Sequence, residues 1–245
     1  MNNYKLTIQY DGSRYDGWQK QGNTDNTIQG KLEKVLAKLT DEKIEIIGAG
    51  RTDAGVHAKN QVANFKCNKN YKPEEILDYI NEYLPEDIAV SNVEAVQMRF
   101  HARLNVTAKK YLYRINNSNV SNVFERKYTY KYTEYLDIEA MKTAADYLIG
   151  EHDFKSFCSN GRLKKSTVRT IYDIKISKIN NEIQILFYGN GFLYNMIRIM
   201  VGTLLEVGCG KRNPEEMLVI LEHKKREMAG YTVPPYGLTL MEIEY

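Results

Sequence analysis

The chain has 245 residues, of which 43% are hydrophobic and 27% are charged, and its formal net charge is +3. This length can bury a sizeable core in one large domain or two small ones, while so small a net charge is only weak support for a nucleic-acid partner. Three cysteines without C-x-x-C spacing and four scattered histidines exclude a disulfide framework and the common zinc motifs, so no metal is predicted.

The N-terminal region and the hydropathy pattern give an expectation for location. Residues 1–20 contain no apolar segment of the kind found in signal peptides, and no apolar run is long enough to span a membrane. Together with the cysteine usage, this predicts a cytoplasmic protein without a membrane partner.

The first part of the chain alternates between strand and helix patterns. Apolar residues at helical spacing predict a helix over residues 27–39, capped by Asn26 or Thr27, and a proline at the first turn starts a second helix. Alternating or β-branched runs predict strands. The expected order is strand 5–10, loop 11–26, helix 27–39, strand 43–47, strand 61–67, helix 73–83 and strand 88–96. Its first four regular elements, strand, helix, strand and strand, are half of a ferredoxin-like or RNA-recognition-like unit.

The second part repeats the mixture of elements. A strand begins at Lys109 and places Tyr111, Tyr113 and Ile115 on one face. The remaining expectations are a helix over 137–149 closed by Gly150, a hairpin of strands 168–179 and 182–188, a long helix from about residue 192, a short helix after residue 214 and a last strand over 238–245. The pattern predicts an α+β fold, and we expect subdomains at residues 1–102 and 103–245.

Residues 48–58 read GAGRTDAGVHA and combine three glycines with Arg51, Asp53 and His57. A dinucleotide fingerprint would need glycine where Asp53 stands, and a P-loop would need a Gly-Lys-Ser/Thr ending, so no nucleotide cofactor is predicted. The residues alone leave an Asx-turn at Asp53, without catalytic meaning, as an open alternative.

This glycine-rich stretch resembles the central motif of the tRNA pseudouridine synthase A family. Further blocks are similar in the same order, namely YDGSRYDGWQKQ (10–21), RFHARLNVTAKKYLYRI (99–115), GEHDFKSF (150–157) and GNGFLYNMIRIMVGTLLEVG (189–208). The chain departs from the family pattern at Lys59-Asn60 and at residues 230–233, which concerns a C-terminal loop more than the chemistry.

The resemblance implies the fold, the reaction and its catalytic residues. Two mainly antiparallel sheets flanked by helices would hold RNA in a cleft between them. Asp53 would be the nucleophile, on uracil C6 or on ribose C1′, and Tyr111 would stack on a flipped base. Arg198, which helical periodicity places at the border of an apolar stripe, would pair with the carboxylate and keep it ionised.

Other residues are expected to bind the substrate. Arg51 is the candidate for holding the splayed nucleotide, and Arg14, Phe192, Lys164 and Lys165 complete the predicted set, although basic runs are often only solvated surface. The resemblance implies tRNA as partner, uridines 38, 39 and 40 of the anticodon arm as targets, a homodimer and no cofactor.

The sequence is also compatible with other classes of function. A non-catalytic RNA-binding protein would use the same aromatic and basic residues but would not need Asp53. A nucleotide-dependent enzyme is disfavoured by the failed phosphate fingerprints, and a related synthase could act on a different RNA.

Overall fold

A computed structural model describes residues 1–160 and 165–245 of the chain. In chain order the elements are β1 (Asn2–Tyr10), α1 (Ile28–Thr40), β2 (Ile47–Gly48), β3 (His57–Cys67), α2 (Pro73–Tyr83), β4 (Ile88–Val96), β5 (Ala108–Asn116), β6 (Tyr130–Lys131), α3 (Ile138–Asp146), β7 (Gly150–Asp153), β8 (Val168–Ile179), β9 (Glu182–Gly189), α4 (Met196–Gly208), α5 (Glu216–His223) and β10 (Leu238–Glu244). None of the helices in these described ranges has the length and apolar character needed to cross a membrane. The mixture of helices with mainly antiparallel strands confirms the α+β fold class.

The residues group into two compact units. Unit 1 contains residues 1–107 and 239–245, and unit 2 contains residues 108–238. The predicted division had placed the last strand with the C-terminal subdomain. In the structure β10 runs parallel to β3, with Thr239 opposite His57, and therefore belongs to unit 1.

Unit 1 has the strand order of a ferredoxin-like sheet. The strands run β4-β1-β3-β2 with antiparallel pairing, and β10 lies beside a different part of β3. Tyr4, Leu6 and Ile8 of β1 are fully buried on the face that α1 and α2 cover. The Tyr4 hydroxyl donates to the carbonyl of Tyr71, whose own hydroxyl donates to the last turn of α1. The predicted order of strand, helix, strand and strand is present, although its second strand is only Ile47–Gly48.

Unit 2 is a second sheet backed by helices. Its strands run β5-β9-β8-β7 in antiparallel order, and the short β6 pairs in parallel with β5. Tyr111, Tyr113 and Ile115 are buried on one face of β5, as their alternation predicts. Helix α4 is buried along most of its length, so it forms the centre of this unit.

The predicted strand over residues 43–47 is largely wrong. Only Ile47–Gly48 pairs with β3, although Ile44 and Ile46 are buried as expected. The Ile46 amide donates to the Glu33 carboxylate at 3.1 Å, and its carbonyl accepts from the Gln29 side chain at 3.2 Å. Side chains of α1 thus satisfy the backbone groups that a strand would have used.

Two predicted helix ends also differ from the structure. Helix α3 ends at Asp146, so Gly150 is not its cap but the first residue of β7. Helix α4 begins only at Met196, because Asn195 adopts a left-handed conformation with φ of 61° and forms the N-cap. Apolar periodicity continues through both ends, and the backbone turns are what stop the helices.

Candidate active site

The loop that carries Asp53 connects β2 to β3 in unit 1. Asp53 is half-buried, and its carbonyl accepts the Val56 amide at 3.1 Å. Gly55 has a φ of 78°, the conformation that the third position of a type II turn requires. The sequence therefore ends the loop with a tight turn immediately after the carboxylate.

A second loop, residues 10–18, holds the Asp53 loop from both sides. The Trp18 amide donates to the Thr52 carbonyl at 3.0 Å, and the Gly55 amide donates to the Tyr15 carbonyl at 3.3 Å. These bonds fix the backbone before and after Asp53. Two of the sequence blocks that resemble the family, 10–21 and 48–58, are thus in direct contact within unit 1.

Side chains add a dry hydrogen bond beside Asp53. The hydroxyls of Tyr10 and Thr52 share a hydrogen bond of 2.8 Å, and both residues are buried. Burial raises the pKa of the Tyr10 phenol, which is therefore neutral in ordinary buffers. Sequence analysis missed this pair, because the two residues lie on separate motifs and neither type is distinctive.

His57 takes part in the contact between these two loops. It is 3% exposed, and its Nδ1 accepts the Gly12 amide at 3.0 Å. Because that nitrogen must offer a lone pair, the proton lies on Nε2. The 3.2 Å approach of the Asp11 carboxylate to Nδ1 is therefore not an ion pair in this tautomer.

The two predicted substrate-binding arginines of unit 1 differ in their surroundings. The Arg51 side chain is exposed and has no hydrogen-bond or ion-pair partner among residues 1–160 and 165–245. Arg14 donates from Nε and Nη2 to one oxygen of Asp87, at 2.9 and 2.6 Å, and this bond raises its pKa. Tyr15 donates to the other oxygen at 2.5 Å, so Asp87 holds this end of the 10–18 loop.

Trp18 packs inside unit 1 and is 1% exposed. Its ring is therefore covered by other residues of unit 1. Its indole lies against Gly48, where a Cβ atom would come within 2.4 Å of Nε1.

In unit 2 the structure brings Tyr111 and Phe192 together. Their ring centroids are 5.4 Å apart in an edge-to-face arrangement. Tyr111 is 7% exposed, whereas Phe192 is half-buried in the segment before α4. The two predicted base-contacting residues therefore form one aromatic pair.

Arg198 is held by the N-cap residue of α4 and by the segment of residues 230–234. Its Nε donates to the Val233 carbonyl at 2.8 Å, and Nη1 donates to the Asn195 side chain at 2.8 Å. Sequence analysis missed both partners. Val233 lies in a stretch that departs from the family pattern. Its backbone carbonyl accepts the hydrogen bond, so the residue type at this position gives no sign of the contact.

Helix α4 is shaped to receive that segment. A Cβ atom at Gly202 would lie 1.9 Å from the Tyr231 carbonyl oxygen, and the Gly230 amide donates to the Thr203 hydroxyl at 2.9 Å. Since Gly202 permits this close approach, the segment lies directly against α4 and can present the Val233 carbonyl to Arg198.

The two predicted lysines follow the 3₁₀ turn at Phe154–Phe157 in the sequence. Lys164 lies outside the described residues, and Lys165 is exposed. The predicted site residues are divided between the two units. Unit 1 contains Asp53, Arg51 and Arg14, and unit 2 contains Tyr111, Phe192, Arg198 and Lys165.

Comparison with known proteins identifies the class. The family model described as tRNA pseudouridine synthase matches residues 6–105 and 144–245. The chain belongs to this family. Across the whole of both chains it is 49% identical to tRNA pseudouridine synthase A 2 of Bacillus cereus (strain ZK / E33L). It is 52% identical to tRNA pseudouridine synthase A of Bacillus sp. (strain KSM-64), over 94% of this chain and 95% of that protein.

A solved structure is also similar. The "Crystal Structure of a Cbf5-Nop10-Gar1 Complex" contains a chain that is 10% identical, with a TM-score of 0.40, over 97% of this chain and 48% of that one. The relatives' names confirm the family resemblance that the sequence motifs carry.

Proposed function

We propose that this protein is a tRNA pseudouridine synthase, an isomerase that converts uridine to pseudouridine. The observation that carries the proposal is family membership over nearly the whole chain, with relatives named tRNA pseudouridine synthase A at about half identity. The targets we propose are uridines 38, 39 and 40 of the anticodon stem-loop. The RTD motif lies on a loop fixed at both flanks, which supports a positioned carboxylate.

The reaction conserves all atoms of the nucleotide except one exchanged proton. The N1–C1′ bond breaks, the base rotates, a C5–C1′ bond forms, the C5 proton is lost to solvent and N1 gains a proton. No electrons are transferred to a partner, so the chemistry needs neither a redox cofactor nor an energy source.

In this proposal Asp53 is the nucleophile. Its position immediately before a turn closed by Gly55 leaves the side chain partly exposed, and an exposed carboxylate can meet a flipped base. Attack on uracil C6 and attack on ribose C1′ both require an ionised carboxylate. Arg198 is the cation that we propose keeps it ionised.

The aromatic pair of Tyr111 and Phe192 is proposed to receive the base. A uridine inside a stem must leave its stack, which costs about a few kcal/mol, and stacking on a tyrosine ring offsets part of that cost. Arg51 is proposed to hold the displaced nucleotide, since its exposed side chain has no competing partner in the described part of the chain. The Arg14 guanidinium already donates to Asp87, so this contact would compete with binding of the nucleotide.

The test of the reaction is tritium release from unmodified tRNA that carries uridine tritiated at C5. Wild type should release tritium, and Asp53→Asn should bind tRNA normally but release none. Asp25→Asn is the matched control, because Asp25 is an exposed carboxylate of the same unit. Turnover by Asp53→Asn at the wild-type rate would refute the assigned nucleophile.

Mapping the modified positions tests the substrate. Modification confined to the anticodon arm supports the proposed target, whereas another position supports a synthase for a different RNA site. If wild type binds tRNA without releasing tritium, the alternative of a non-catalytic RNA-binding protein is favoured.

Three further proposals rest on the family resemblance. Arg198→Met should lower turnover and raise the apparent pKa of the essential carboxylate in the pH profile. Reversing the charge at Lys164 and Lys165 should weaken tRNA binding and reduce its salt dependence. The proposed homodimer predicts twice the monomer mass in light scattering.

A further inference from the structure

The turn of residues 99–105, which we call the arginine turn, has no role in the proposed chemistry. It follows β4 in unit 1 and carries Arg99, His101 and Arg103. Its sequence is part of the block RFHARLNVTAKKYLYRI, which resembles the family, but the resemblance assigns no function to these residues.

Buried asparagines fasten the arginine turn to the sheet. The Asn64 side chain is fully buried and accepts the Ala102 amide at 2.8 Å, while it donates to the Asn3 side chain at 2.9 Å. Asn3 in turn donates to the carbonyls of Gln97 and Phe100, at 3.0 Å each. These bonds satisfy buried polar groups on the sheet face opposite to α1 and α2, which makes the attachment rigid.

The His101 imidazole shapes the turn itself. Its Nδ1 accepts the backbone amides of Arg103 and Leu104, at 3.2 Å each. The His101 amide donates to the Asn105 side chain at 2.7 Å. The turn is therefore held by side chains and does not depend on a ligand to adopt its conformation.

Within the described ranges, no carboxylate forms an ion pair with the arginines of this rigid turn. Arg99 is exposed, and its Nε donates to the uncharged Gln97 side chain at 2.8 Å. The Arg103 side chain is exposed and makes no hydrogen bond or ion pair with any residue in 1–160 or 165–245. Leu104 beside it is 77% exposed. By contrast, the Arg114 guanidinium is engaged by two glutamates.

We propose that the arginine turn binds the phosphodiester backbone of the RNA substrate. Guanidinium groups match phosphate oxygens in charge and in fork geometry, and a turn that is already ordered loses little entropy on binding. Leu104 would pack against the adjoining ribose. The inference rests on the proposed function, because it takes RNA as the ligand, but it assigns a binding site outside the catalytic loop.

The experiment measures affinity for unmodified tRNA at several salt concentrations. Arg99→Gln and Arg103→Gln should each weaken binding on the order of tenfold. Each should also lower the slope of log affinity against log salt by about 0.7 to 0.9, the value for one lost phosphate contact. Lys34→Gln is the control, since it removes one exposed charge on α1, across the sheet from the turn.

His101→Ala separates the shape of the turn from its charge. Both arginines remain in this variant, so affinity should fall while the salt slope stays close to that of wild type. Rescue of affinity by His101→Asn, whose side-chain oxygen can also accept an amide hydrogen, would support the positioning role.

The outcomes distinguish this inference from the proposed function. If the Arg99→Gln/Arg103→Gln double variant binds tRNA with the wild-type affinity and slope while wild type releases tritium, the arginine turn is not an RNA site and the function stands. If wild type neither binds tRNA nor releases tritium, the proposed function fails and this inference fails with it.

Discussion

The hydrogen bond between Tyr10 and Thr52 gives a quantitative test of how the Asp53 loop is held. Tyr10→Phe removes the phenol hydroxyl and leaves the Thr52 hydroxyl buried without this partner. An unsatisfied buried hydroxyl costs about 1 to 3 kcal/mol, so we expect the free energy of unfolding to fall by roughly 2 kcal/mol. Thr52→Val should cost a similar amount.

The double variant isolates the bond. In the double variant neither hydroxyl of this bond is left buried without the other. The loss of stability should therefore be smaller than the sum of the two single losses by about 1 kcal/mol. The assay is urea unfolding followed by tryptophan fluorescence. Trp18 is the single tryptophan of the chain and is buried in unit 1, so its emission reports on that unit.

Tyr4→Phe is the matched control for function. It also removes a buried tyrosine hydroxyl of unit 1, which donates to the Tyr71 carbonyl at 2.9 Å. We expect both variants to lose stability but only Tyr10→Phe to lower turnover, since Thr52 directly precedes Asp53. A coupling energy near zero would refute the stabilising role, and equal turnover in the two variants would refute the positioning role.

Substitutions at three positions test unit 2. Gly202→Ala should lower the free energy of unfolding by about 1 to 3 kcal/mol, because the added Cβ atom would lie 1.9 Å from the Tyr231 carbonyl oxygen. Helix propensity alone would instead raise it by about 1 kcal/mol, and such an increase in urea unfolding would contradict the prediction. The hydrogen bond from Arg114 lowers the pKa of Glu182, so the ion pair stabilises the fold above the usual glutamate pKa and this stabilisation is lost as the pH falls. The free energy of unfolding of Glu182→Gln should therefore depend less on pH between pH 6 and about pH 3. An acid unfolding transition identical to that of wild type would contradict this prediction. Asn180 has a φ of 54° in the β8–β9 turn, so Asn180→Ala should cost about 1 kcal/mol in thermal unfolding and Asn180→Gly almost nothing, and equal costs would contradict the conformational argument.

Local signals in the sequence were enough to predict many elements. The helix Pro73–Tyr83 and the strand Ile88–Val96 have their predicted bounds, because a proline and alternating apolar residues mark them. The Thr27 cap is also confirmed, with its hydroxyl accepting the Gly30 amide at 3.2 Å. The bounds of a helix or strand can thus be predicted where residues close in the sequence determine the backbone conformation.

Contacts between distant residues could not be predicted in the same way. The strand expected over residues 43–47 is replaced by bonds to Glu33 and Gln29, which only the packed helix brings within reach. The hydrogen bonds between residues 10–18 and the Asp53 loop likewise form only in the folded sheet. Family resemblance names Asp53, Tyr111 and Arg198, but their assigned roles stay predictions.

The parallel pairing of β10 with β3 has a consequence for how the protein folds during synthesis. The chain leaves unit 1 after residue 107 and returns only at residue 239, so all of unit 2 is translated in between. At about 5 to 20 residues per second, the ribosome needs on the order of ten seconds for that stretch. During this interval the part of β3 around His57, immediately after the Asp53 loop, lacks the strand that pairs with it in the folded protein. This edge of β3 stays open until β10 has been synthesised.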